Sequence, residues 1–163
     1  MASQFTKSTM SKGKDEVYVA AMPLRAAKGP AQLVMSAAYS LNLWDLQHFM
    51  VIVKPSSRPQ AVVFDFQPKD PENIYTALAV LSGQPMPGVV LVRKLKNMPR
   101  TKCWFIGSAY CNALDAANAF NGGWETDLRV GHHDCRDYAN GLVEHLIGKK
   151  NVLEHLRRNS SQR

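Results

Sequence analysis

Residues 131–147 read GHHDCRDYANGLVEHLI, and the place of Cys135 in that stretch decides how the chain is read. Tyr138, Ala139, Leu142, Val143 and Leu146 recur at helical spacing, so an amphipathic helix is expected over about 135–147. Gly148 suits its C-cap, and Lys149 and Lys150 favour the negative end of the helix dipole. Asp134 is a good N-cap residue, with Asp137 three positions later. Cys135 then occupies the first helical position. There the free backbone N–H groups and the dipole stabilise a thiolate, and they can serve an oxyanion formed beside the sulfur. Asp134 itself works against this, because an adjacent carboxylate raises a thiol pKa. A histidine base must therefore be brought close by the fold.

His48 is the candidate base. It opens the strand LQHFMVIV (46–53), where period two puts His48, Met50 and Ile52 on one face. KPSSRP has the Pro and Ser of a hairpin loop, and AVVFDF (61–66) is the partner strand. Asp65 is the acid in that otherwise apolar run, and burying it alone costs several kcal/mol. A histidine on the neighbouring strand is a suitable partner. Cys135, His48 and Asp65 thus make a nucleophile, a base and an orienter.

Further elements are read outward from these. VYVAAM (17–22) and VVLVRKL (89–95) are strands. Helices are expected over 31–41, 72–81 and 107–120, and WETDLRV (124–130) is extended. NVLEHLRR is a short last helix before a polar tail. The pattern is α+β, a small antiparallel sheet with helices on both sides. It divides as a flexible basic tail (1–14), one domain (15–148) and a basic C-terminal stretch (149–163).

The formal charge of +7 is carried by the ends. Lys7, Lys12 and Lys14 supply +3, and residues 149–163 a net +4, so the body between is neutral. Aromatic residues do not interleave with the basic ones, which argues against nucleic acid. One interior cluster, Arg93, Lys94, Lys96, Arg100 and Lys102, contains no acid and is a candidate anion-binding patch or a solvated strand end. No window reaches ~18 uninterrupted apolar residues, so no membrane span is expected. The N-terminus has no secretory signal pattern. Its Ser/Thr/Lys richness also leaves organelle targeting open. Three cysteines with no framework spacing indicate reduced thiols, hence an intracellular, cytoplasmic setting.

The order of these pieces resembles the permuted papain-like superfamily. That group includes NlpC-type hydrolases, lecithin:retinol acyltransferase-like enzymes and permuted papain-fold peptidases. In the acyltransferase-like branch a His-aromatic strand is followed by a strand of the form Val-x-His-x-x-Pro. Here these are His48-Phe49 and Val63-Phe64-Asp65-Phe66-Gln67-Pro68, with Asp65 where the family often has a second histidine. The family's Asn-Cys-Glu-His-Phe-like start compares with Asp134-Cys135-Arg136-Asp137-Tyr138, followed by Asn140-Gly141-Leu142. The resemblance covers roughly 44–147. It implies a cysteine hydrolase or acyltransferase acting on an ester, amide or isopeptide carbonyl, with no cofactor. Asp134, His133 and Arg136 are then auxiliary or oxyanion-side residues. Asp134, Arg136 and Asp137 depart from the family pattern. The alternative they raise is an inactive member that binds a protein or a membrane surface. A zinc site on His132, His133 and Cys135, with Cys111 or His145, lacks standard ligand spacing, so no metal is expected.

Overall fold

Alternating apolar residues build the sheet of this computed structural model, which describes residues 13–23, 47–110 and 112–160. Six strands are present among them: β1 (Asp15–Pro23), β2 (Gln47–Lys54), β3 (Ala61–Pro68), β4 (Met86–Leu95), β5 (Cys103–Ala109) and the short β6 (Asp127–Leu128). Their spatial order is β5-β1-β2-β3-β4-β6, and every neighbouring pair is antiparallel. The helices are α1 (Ile74–Ser82), α2 (Ala113–Gly122), α3 (Cys135–Ile147) and α4 (Val152–Ser160). The α+β architecture with an antiparallel sheet follows the expectation, and no described helix is long and apolar enough to cross a membrane.

One face of the sheet offers Val17, Val19, Val51, Val53, Phe64 and Phe66. Tyr138, Leu142 and Val143 of α3 pack there at zero exposure. Helices α1, α2 and α4 add Ala77 and Val80, Ala113 and Ala117, and Val152 and Leu153 to the same cluster. The expectation of helices on both sides is therefore corrected for the described part of the chain. The expected helix over 31–41 lies outside the described residues. The second face carries Ala20, Met50, Ile52, Ala61 and Val63. Met98 packs on it from the connection that leads from β4, near one edge of the sheet, to β5 at the other.

The helix expected over 107–120 is also corrected. Cys103–Ala109 is a strand, and the helix begins at Ala113. The strand exists because it pairs with β1, a partner distant in sequence, so its local composition did not betray it. Asp15 fixes the helix start. It is buried, and its Oδ2 accepts the Ala113 N–H at 2.9 Å while Oδ1 accepts the Ser56 N–H at 2.8 Å. The C-terminal stretch expected as a short helix and tail supplies α4, docked through Val152 and Leu153. Asn140 of α3 holds it, its Oδ1 accepting the Leu153 N–H at 3.1 Å.

Leu142 has no exposed surface. Leu142→Ala is expected to cost about 2–5 kcal/mol, the loss of transfer energy plus a cavity. Urea unfolding with an unchanged m-value checks this.

Candidate functional site

The β2–β3 ladder is short. It pairs Val51 with Phe64, Ile52 with Val63 and Val53 with Val62, and goes no further. On either side, β1–β2 continues to Pro23 opposite Gln47, and β3–β4 continues to Pro68 opposite Gly88. The open end of the β2–β3 seam holds the polar residues. Extending the register places Asp65 across from Met50, so His48 is its diagonal neighbour on the same face.

Asp65 is fully buried and His48 is 6 % exposed. His48 Nε2 faces Asp65 Oδ1 at 3.8 Å. That is too long for a hydrogen bond, and both atoms lack another partner among the described residues. The contact is an ion pair whenever the imidazole is protonated. The other carboxylate oxygen, Oδ2, accepts from Arg93 Nη2 on β4. Arg93 is about half exposed, so one end of this chain of charges remains in water.

Cys135 begins α3 as expected, directly after the Asp134 cap. It is half-buried and reduced. Its thiol points to the Gln47 carbonyl at 3.9 Å, which brings the sulfur to the start of β2 beside His48. Burial alone lowers the His48 pKa. The Asp65 carboxylate and the Cys135 sulfur outweigh it and raise the value from 6.5 to about 9. The three residues picked from the sequence are thus brought together.

The auxiliary residues divide. Asp134 and Asp137 form a reciprocal capping box. The Asp134 carboxylate accepts from the Arg136 N–H at 2.9 Å, the Gly131 N–H at 2.7 Å and Arg136 Nη2 at 3.0 Å. Burial would raise its pKa, but these donors hold it below the usual carboxylate value. Asp134 is an acceptor and does not serve an oxyanion. The cap also occupies the Arg136 and Asp137 N–H groups. The Cys135 N–H is the first of the helix and is not among the groups given to the cap. His133 does not join the site. It stacks on Trp124 with centroids 4.3 Å apart and donates through Nε2 to the Glu125 carbonyl at 2.7 Å.

Of the basic cluster, Lys94, Lys96 and Arg100 are exposed on the end of β4 and the connection after it. Arg93 is engaged with Asp65, a role the sequence reading did not give it. Its signal was present: Arg93 stands opposite Val63, two residues from Asp65 on one face, once β3 and β4 are paired. Lys102 lines a cleft of about 420 Å³ whose walls also include Gln47 and Arg136, next to Cys135. No cluster of three or more His, Cys, Asp or Glu residues suited to a metal occurs among the described residues. His132 and His145 are exposed, and Cys111 lies outside the described residues.

The raised His48 pKa has a consequence for stability. The native state holds this proton more tightly than the unfolded chain, so the contribution is complete below pH 6.5 and is lost as pH rises through about 9. The urea midpoint is expected to fall across that interval in the wild type, and the part of the fall due to His48 to vanish in His48→Gln.

No family model, curated protein or solved structure matches the chain.

Proposed function

We propose that the chain is a cysteine-dependent hydrolase or acyltransferase of the permuted papain-like type, acting on an ester, amide or isopeptide carbonyl. The observation that carries this is the convergence of Cys135, His48 and Asp65 at the open end of the β2–β3 seam. A buried imidazole that keeps its proton to about pH 9 beside a sulfur and a carboxylate is suited to hold the proton a thiol gives up.

In the reaction, His48 holds the proton taken from Cys135. The thiolate sulfur bonds to the carbonyl carbon, and the π electron pair moves to oxygen. The Cys135 N–H is a donor available to that oxyanion. Collapse breaks the bond to the alcohol or amine, which leaves with the proton from His48. Water then gives a proton to His48 while its oxygen bonds to the thioester carbon, and collapse breaks the C–S bond, releasing the acid and leaving the thiolate beside protonated His48. An alcohol or amine acceptor in place of water makes the same step an acyl transfer. Asp65 keeps the ring oriented and compensates its charge, and Arg93 fixes Asp65 from the far side.

Iodoacetamide alkylation against pH is the direct test. A fast phase at neutral pH is expected in the wild type, absent from Cys135→Ser and from His48→Ala. Cys103 does not obscure it, because burial raises its pKa. Turnover of an activated ester is expected to fall about 10²–10⁴-fold in His48→Ala. A Cys135 that alkylates at the same rate with and without His48 overturns the reading and leaves a binding module.

Arg93 gives a second test. Arg93→Ala leaves Asp65 buried with no cation but His48. Roughly a tenfold to hundredfold loss of ester turnover is expected as the base loses its orientation. Arg93→Lys is expected to restore part of it, and the pH–rate profile should shift only in the alanine variant.

A further inference from the structure

The cleft beside Cys135 has a mixed lining. Phe49, Trp104, Leu153 and Leu156 form an apolar wall, and its volume of about 420 Å³ lies in the range of small-molecule sites. Lys102, Arg136 and Arg157 bring positive charge to it, and Glu154 negative charge, with Arg157 engaged in a contact of its own. These charges are not equally available. Arg136 is paired with Asp134 at 3.0 Å. Glu154 accepts from the Asn140 amide at 3.3 Å. Lys102 has no ion-pair partner among the described residues. Its backbone is fixed in the left-handed region at φ 49°, and its carbonyl accepts the Ala21 N–H at 2.9 Å. The lysine is therefore mounted on a set turn at the cleft rather than on a loose loop.

We propose that this cleft receives an amphiphilic anion: an aliphatic acyl chain that lies on the apolar wall and carries a carboxylate answered by Lys102. The cleft adjoins the Cys135 side chain without being lined by it, since Gln47 lines the cleft and accepts from the Cys135 thiol, and Arg136 follows Cys135 in the chain. The inference rests on the reading of Cys135 as nucleophile and names the acyl side of its substrate. An unpaired cation above an apolar wall disfavours a neutral chain, which would desolvate Lys102 with nothing in return.

The experiment compares two p-nitrophenyl esters of decanedioic acid, one with its far carboxylate free and one with it methylated. Full-length wild type is expected to prefer the free acid in kcat/KM by roughly fivefold, the scale of a partly exposed charge pair. Lys102→Ala should abolish the preference and Lys102→Glu reverse it. Calorimetry of decanedioate with Cys135→Ala, and with Cys135→Ala/Lys102→Glu, reads binding without catalysis. Equal turnover of the two esters by the wild type overturns the inference and leaves the catalytic reading standing. If no ester is hydrolysed, calorimetry decides. Binding that is lost with Lys102→Glu upholds the cleft while the catalytic reading fails, and no binding overturns the cleft as well.

Discussion

The carboxylate of Asp65 is the constraint around which this part of the molecule is arranged. It is fully buried in a strand of valines and phenylalanines. Such a group costs several kcal/mol unless each oxygen is answered. Arg93 answers one from β4, and His48 faces the other from β2. That requirement fixes β2, β3 and β4 as neighbours in this order, which is the order the sheet shows. Arg93 reaches water and so keeps part of its solvation, whereas His48 does not. At the buried end of the chain of charges, burial lowers the His48 pKa, but the carboxylate and the sulfur outweigh it and raise the value to about 9.

The sequence made this arrangement visible through one incongruity, an acid within AVVFDF, and through the hairpin that sets the strand before it alongside. Helix α3 was equally legible, because its apolar spacing, its Asp134 cap and its Gly148 terminus agree with one another. Signals at three levels pointed the same way, and the structure follows them. Strand β5 was not legible for the opposite reason. TKCWFIGSA carries no clean alternation, and what makes it a strand is a ladder to β1 formed across the whole domain. The same holds for Asp15, an ordinary acid in the sequence, which turns out to join a turn and a helix start because folding brings Ser56 and Ala113 to it.

The basic cluster shows the limit of reading charge along a chain. Five cations in ten residues suggested one patch. Strand geometry separates them, because alternate residues of β4 take opposite faces and the connection then crosses the sheet. Arg93 is drawn to a buried acid and Lys102 to a cleft, while Lys94, Lys96 and Arg100 remain on the surface. A charge run becomes a set of distinct environments once the pleat is imposed on it.

Asp134 raises the sharpest objection to the proposed nucleophile at Cys135, and its surroundings bear on it. The carboxylate is spent on the cap and on Arg136, so its charge is compensated locally rather than left against the sulfur. The same cap takes the Arg136 and Asp137 N–H groups, which an uncapped helix would have offered to an anion. The helix end thus gives up much of its ability to stabilise negative charge and gains a fixed position. In the proposed reaction, charge at the sulfur is balanced from across the seam, by an imidazole that faces a buried acid. In this fold α3 serves to place the cysteine, and the strand pair supplies the electrostatics. The site lies where the β2–β3 ladder ends, and there the helix N-terminus and two strand side chains meet.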